Sequence, residues 1–112
     1  MAGLGDLMGM MRGVGGLKAK IGGLQDELAR RRVEGAAGGG MVVATANGRQ
    51  ELVGLKIDPE VVNRDDVELL EDLVKAAVGQ AMAAARDLQV AEMQKLLGGL
   101  PIPPGMLEGF MG

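Results

Sequence analysis

The chain has 112 residues and a formal net charge of −3, and 47% of its residues are apolar although Phe110 is the only aromatic one. It contains no Ser, Cys, His, Tyr or Trp, so it lacks the usual nucleophiles, the usual side chain for proton transfer near neutral pH, and the best soft metal ligands. We therefore expect no catalytic residues, no metal site and no cofactor. The absence of cysteine also excludes a disulfide framework and is typical of a reducing compartment.

Charge is distributed unevenly along the chain. Residues 1–34 hold six basic and four acidic side chains, whereas residues 65–112 hold three basic and eight acidic ones. A local basic field can attract a polyanion even when the total charge is negative. No stretch resembles a signal peptide or is apolar enough to span a bilayer, so we expect a soluble cytoplasmic protein with no membrane partner.

The first element is predicted to be a helix over about residues 4–31. Its apolar residues recur at steps of three and four, the a and d spacing of a coiled-coil seam; they are Leu7, Met10, Val14, Leu17, Ile21, Leu24 and Leu28. Glycines at six positions between residues 9 and 23 each cost about 1 kcal/mol relative to alanine inside a helix. The stripe packs either on its own domain or, as a dimer interface, against a second copy.

A three-stranded antiparallel sheet is predicted next, with strands over about residues 32–37, 41–46 and 51–57. Asn47-Gly48 is a favoured pair for a tight hairpin turn. A two-residue loop pairs Val42 with Val53, and a four-residue loop pairs Val42 with Leu55. Both loops place the same residues on one face of the sheet: Val42, Ala44, Val53, Leu55 and Ile57.

A second long helix is predicted over about residues 66–97. Asp65 is expected to be its N-cap, with Glu68 completing a capping box. Gly98-Gly99 and Pro101 end this helix, and residues 98–112 are expected to be an irregular tail rich in proline, glycine and methionine. The element order predicts an α+β fold, an α-β-β-β-α protomer that forms a single domain over residues 1–112.

Both helices are longer than the sheet they cover. Helices of about 28 and 31 residues reach about 42 and 46 Å, whereas strands of about seven residues reach only about 23 Å. An apolar stripe that runs beyond its own sheet needs another surface, and the simplest source is an identical subunit across a twofold axis. We therefore expect a homodimer.

Several short motifs occur in an order that resembles one protein family. They are the Leu- and Met-rich first helix, Val-Glu-Gly at 33–35, the glycine link into a Val/Thr strand, Asn47-Gly48, Ile57-Asp58-Pro59, Leu-Leu-Glu-Asp-Leu-Val at 69–74 and Leu-Pro-x-Pro-Pro-Gly at 100–105. Over nearly the whole chain, this order resembles the YbaB/EbfC family of bacterial nucleoid-associated proteins. Members of that family usually carry Gln, Lys and Glu where the first helix of this chain has glycines.

The resemblance implies a tweezers-like homodimer with paired protruding helices, binding to duplex DNA, and a place in the nucleoid. The implied role is in nucleoid organisation, gene regulation or genome maintenance, with no catalysis and no cofactor. The family pattern does not fix which residues contact DNA. An alternative is a non-catalytic dimeric adaptor for replication or recombination proteins, which fits the acidic total charge.

Charge therefore supplies the DNA-binding candidates. The best are three consecutive basic residues that close the first helix, Arg30, Arg31 and Arg32, and the weaker ones are Lys18, Lys20, Arg12 and Lys95. The three arginines either complement the negative end of the helix dipole or, in a dimer, bind DNA phosphates at two places. The sequence has no recognition-helix motif, no zinc motif and no aromatic stacking platform, so we expect phosphate contacts with weak sequence preference.

Overall fold

The computed structural model describes residues 4–98, with side chains from Gly16 onward. Its elements are α1 (Leu4–Arg30), β1 (Arg32–Ala37), β2 (Val42–Asn47), β3 (Leu52–Ile57) and α2 (Val67–Leu96), with a 3-10 turn at Pro59–Val61 before α2. The strands form one antiparallel sheet in the order β1-β2-β3. The α+β fold and the α-β-β-β-α order predicted from the sequence are confirmed.

The main core lies between α2 and the first two strands. Three alanines spaced four residues apart on α2 are completely buried, and so are three residues of β2 that alternate along the strand. These six residues are Ala77, Ala81, Ala85, Val42, Ala44 and Ala46. Because both surfaces carry small side chains, the helix lies close to the sheet and contacts mainly β1 and β2.

Gly35 marks the closest approach of α2 to β1. A Cβ atom at this position would overlap the carbonyl oxygen of Ala77 and the backbone nitrogen of Ala81, and it would lie 2.7 Å from the Cβ of Gln80. No side chain fits between the strand and the helix here. Gly35 therefore sets the distance between the two layers.

The β2–β3 hairpin pairs Val42 with Ile57, so both pairings predicted from the sequence, with Val53 or with Leu55, are wrong. Asn47 ends β2 instead of occupying the turn, because its side-chain oxygen accepts from the backbone N–H groups of Arg49 (2.9 Å) and Glu51 (3.1 Å).

A bulge after Thr45 shifts the register of the hairpin by one residue. The shift keeps the predicted residues on the same face of the sheet although the loop is longer than predicted. Ala44 pairs with Leu55, which keeps Val42, Ala44, Leu55 and Ile57 on one face as predicted. Val53 is left without a partner in the ladder.

Gly48 is required for packing. Its N–H donates to the carbonyl oxygen of Leu28 at 2.8 Å, and a Cβ at this position would lie 2.8 Å from the same oxygen. The hairpin loop is thereby held against the C-terminal end of α1. This contact fixes the point at which α1 leaves the sheet.

The N-cap of α2 is Asp66, and the predicted cap at Asp65 is wrong. The carboxylate of Asp66 accepts from the N–H of Leu69 at 3.2 Å. Asn63 organises the preceding turn, because its side-chain oxygen accepts from the N–H of Asp65 at 2.9 Å and its carbonyl accepts from the N–H of Asp66 at 2.9 Å. The turn delays the start of the helix by one residue.

Gly35→Ala is expected to lower the free energy of unfolding by about 1–3 kcal/mol, because the added methyl group would push α2 away from β1. Gly79→Ala is the matched control, since a Cβ there meets no atom within 4 Å and alanine favours a helix by about 1 kcal/mol. Urea unfolding of both variants measures the difference. Equal stabilities would show that the contact at Gly35 is not limiting.

Candidate nucleic-acid interface

α1 packs on the rest of the described chain through its C-terminal end. Leu24 is 7% exposed and Leu28 is 1% exposed, and both lie in a second core cluster with Met93 of α2. The partly buried residues around this cluster are Leu88, Leu96 and Leu97. Because α2 ends at Leu96, residues 4–20 of α1 form an arm with about 25 Å of helix beyond the cluster.

Part of the apolar stripe of α1 therefore packs against α2 of the same protomer. Leu24 and Leu28 are buried against α2, whereas Leu17 is 37% exposed and Ile21 is half-buried. The side chains of three other stripe residues, Leu7, Met10 and Val14, lie outside the described residues. Packing on the same domain accounts for Leu24 and Leu28, and the role of the stripe as a dimer interface stays a prediction.

The three consecutive arginines have different surroundings. Arg30 is exposed and forms no ion pair within residues 16–98. The guanidinium of Arg31 lies 3.8 Å from the carboxylate of Glu27 and 3.7 Å from that of Glu92. Such half-exposed pairs contribute about 0–1 kcal/mol, but they hold the Arg31 side chain across α1 toward α2.

Arg32 caps the end of α1. One of its terminal guanidinium nitrogens, Nη1, donates to the carbonyl oxygen of Ala29 at 2.9 Å and to that of Arg31 at 3.2 Å. The last carbonyls of a helix have no partner within the helix and carry its negative partial charge. Of the two roles that the sequence left open for these arginines, Arg32 thus takes the one at the negative end of the helix dipole.

Lys20 and Lys95 come together at a groove of about 400 Å³ between α1 and α2. Its lining residues are Lys20, Gly23, Leu24, Glu27, Glu92, Lys95 and Leu96. The Lys95 ammonium lies 3.3 Å from a carboxylate oxygen of Glu92, and its side chain is 75% exposed. Lys18 is also exposed on α1, whereas the side chain of Arg12 lies outside the described residues.

Glu92 organises these cations and was not predicted from the sequence. Its side chain is only 16% exposed, and it pairs with both Arg31 and Lys95. The spacing of Glu92 and Lys95 along one helix could have indicated their pairing. The pairing with Arg31 depends on how α1 and α2 pack, and no local pattern predicts it.

The basic side chains of residues 16–32 thus fall into two groups. Lys18, Lys20 and Arg30 are exposed and form no ion pair within residues 16–98, although Lys20 also lines the groove. Arg31 and Arg32 are held at the end of α1 by Glu92 and by backbone carbonyls. The exposed cations can contact phosphates without breaking an internal ion pair. In the described part of the chain, no group of three or more potential ligands is placed to hold a metal ion.

No helix in residues 4–98 is long and apolar enough to cross a membrane. A solved structure of an uncharacterized protein from Helicobacter pylori has a similar fold, with a TM-score of 0.70 and 24% sequence identity over 85% of this chain and 97% of that chain.

Sequence relatives cover most of the chain. A nucleoid-associated protein from Caldanaerobacter subterraneus is 54% identical over 78% of both chains. Nucleoid-associated proteins from Moorella thermoacetica and Brucella ovis are 46% and 44% identical, over 90% and 94% of this chain and 97% and 98% of their own lengths. The sequence profile of the YbaB/EbfC DNA-binding family matches residues 3–100. The chain therefore belongs to this family of bacterial nucleoid-associated DNA-binding proteins.

Proposed function

We propose that the protein binds duplex DNA mainly through phosphate contacts from α1, with weak sequence preference, and that it acts in nucleoid organisation, gene regulation or genome maintenance. The observation that carries the proposal is the exposure of Lys18 and Lys20 on the projecting arm of α1 and of Arg30 at the C-terminal end of the same helix. Lys18 and Lys20 can approach the DNA backbone without a clash from the sheet. Each phosphate that they neutralise releases a counterion, which favours binding.

Arg31 and Arg32 are placed second among the candidates. Binding of a phosphate by Arg31 competes with its ion pairs to Glu27 and Glu92. Arg32 donates to carbonyls at the end of α1 through one nitrogen, and its remaining guanidinium donors can still reach a phosphate. We assign both residues mainly to the α1–α2 junction, with DNA contact as a secondary role.

The proposal includes a homodimer, and β3 offers a surface for it. Leu52 and Leu55 pair with Ala46 and Ala44, so they lie on the side of the sheet that α2 covers. They nevertheless remain 46% and 44% exposed, because α2 contacts mainly β1 and β2. Large apolar side chains that are exposed on the same face of one strand are typical of a protein interface.

The two edges of the sheet also differ in how far the rest of the protomer covers them. At the β1 edge, the side chain of Gln80 on α2 accepts a hydrogen bond from the N–H of Ala36 at 3.2 Å. The outer edge of β3 has no comparable cover among the described residues. Antiparallel pairing of β3 with β3 of a second copy would satisfy this edge and is self-complementary across a twofold axis. Such a dimer would carry two α1 arms.

A second candidate function is the non-catalytic dimeric adaptor for replication or recombination proteins. The start of α2 favours it, because Val62, Val67 and Leu69 are 59%, 51% and 46% exposed. Carboxylates of Asp65, Asp66, Glu68 and Glu71 surround these residues in sequence. This surface repels phosphates but can bind an apolar, basic segment of another protein.

Replacing Lys18, Lys20 and Arg30 with alanine is expected to weaken duplex binding equally on unrelated sequences, because phosphate contacts carry no sequence information. A dimer that neutralises one phosphate with each of these side chains has a log-log salt slope of about −5. The triple variant should lose most of this slope and keep only the part that Arg31 and Arg32 contribute. A mobility-shift series over increasing salt measures both effects.

The charge-matched control replaces Arg49, Arg64 and Lys75, which are exposed basic residues outside α1. This control should keep the salt slope of the original chain. Equal losses in the two triple variants would contradict the assignment to α1. Failure of the original chain to shift DNA at low salt would favour the adaptor.

The proposed dimer predicts about twice the chain mass of 11.5 kDa in light scattering. Leu55→Asp should give monomers, because it places an unpaired charge in an apolar interface. Lys56→Ala changes the neighbouring residue on the opposite face of the sheet and should leave the mass unchanged. A Leu55→Asp variant that remains dimeric would rule out the β3 surface.

A further inference from the structure

Glu92 is more enclosed than Glu27, the other carboxylate that lines the groove between α1 and α2. The side chain of Glu92 is 16% exposed, whereas that of Glu27 is 55% exposed. One oxygen of Glu92, Oε1, lies 3.7 Å from the guanidinium of Arg31 and 3.3 Å from the ammonium of Lys95. A single half-buried anion thus holds one cation at the end of α1 and one on α2.

The burial of Glu92 makes its field stronger than that of an exposed carboxylate. Solvent and salt screen a pair of exposed charges strongly and a partly buried pair much less. Glu27 pairs with Arg31 across one turn of the chain, and both of these side chains are about half exposed. Glu92 is therefore the main counterion of Arg31.

Both cations remain open to solvent on the side that faces away from Glu92. The side chain of Lys95 is 75% exposed and that of Arg31 is 46% exposed. Lys95 also lines the same groove as Lys20, one of the cations that we assign to phosphate contact. DNA that reaches Lys20 therefore comes close to Lys95 as well.

A phosphate that binds Arg31 or Lys95 has to compete with Glu92. Counterion release drives DNA binding, and a cation that is already paired with a protein carboxylate has fewer counterions to release. A displaced Glu92 would also be left as a partly buried charge without its partner, which is unfavourable. Lys18 and Arg30 meet neither cost, because they form no ion pair within residues 16–98.

We infer that Glu92 is an internal counter-anion that limits how many phosphates the protein neutralises. It keeps Arg31 and Lys95 paired within the protomer, so that Lys18, Lys20 and Arg30 make the phosphate contacts. This inference rests on the proposed DNA binding and adds the residue that sets its strength.

Glu92→Gln provides the test, because glutamine has nearly the same shape as glutamate and no charge. The variant frees two cations per chain and four in a dimer, so the log-log salt slope should change from about −5 to about −9. Binding at low salt should become tighter on unrelated sequences alike, since the added contacts are to phosphates. Fluorescence anisotropy of a labelled duplex over a salt series measures the slope and the affinity.

Two controls make the same change in net charge. Glu71→Gln removes an exposed carboxylate near the start of α2, and Glu27→Gln removes the other carboxylate that pairs with Arg31. Both variants should keep a slope near −5, because Glu92 still holds Arg31 and Lys95. A slope as steep as that of Glu92→Gln in either control would assign the effect to the general field and overturn the inference.

Removal of the two cations completes the cycle. Arg31→Ala combined with Lys95→Ala should change the slope little in the original chain, but in the Glu92→Gln chain it should bring the slope back to about −5. A steeper slope that survives the loss of both cations would contradict the role of Glu92 as their counter-anion.

The same series separates this inference from the function on which it rests. An original chain that does not bind the duplex at low salt would overturn the proposed DNA binding and this inference with it. An original chain that binds, with a slope that Glu92→Gln leaves unchanged, would overturn this inference alone.

Discussion

The close contact between α2 and the first two strands is the constraint on which the rest of the structure depends. Ala77, Ala81 and Ala85 are completely buried, and Gly35 leaves room for the helix backbone. Small side chains bury less apolar area than larger ones would. They allow α2 to lie close to the sheet in one direction, and α2 continues beyond the sheet to reach α1.

The position of α1 follows from that extension. The C-terminal part of α2 brings Met93 to Leu24 and Leu28, while Gly48 ties the hairpin to the carbonyl of Leu28. α1 is therefore held only near its C-terminal end within the described residues. The projecting arm follows from the end of α2 at Leu96, and the uncovered face of β3 follows from a helix that covers two strands of a three-stranded sheet.

Local patterns determined what could be predicted from the sequence. The heptad spacing, the alternation in the strands and the glycine-rich links predicted the order of the elements correctly, because each signal depends on neighbouring residues. The hairpin register was wrong because Asn47 uses its side chain to organise a longer loop. The separate roles of Arg31 and Arg32 could not be predicted, because the Glu92 carboxylate and the carbonyls at the end of α1 acquire their positions only through folding.

The acidic total charge does not oppose the DNA binding that we propose for the arm. The carboxylates of Asp65, Asp66, Glu68, Glu71 and Asp72 lie at the start of α2, whereas Lys20 lies near its end. A helix of 30 residues separates these regions by about 43 Å. The Debye length at physiological ionic strength is about 8 Å, so repulsion from the acidic end is screened before it reaches the arm. Within the protomer, the local balance of Lys18, Lys20, Arg30 and Lys95 against Asp26, Glu27 and Glu92 thus governs the field that a phosphate meets there, and the total charge governs solubility.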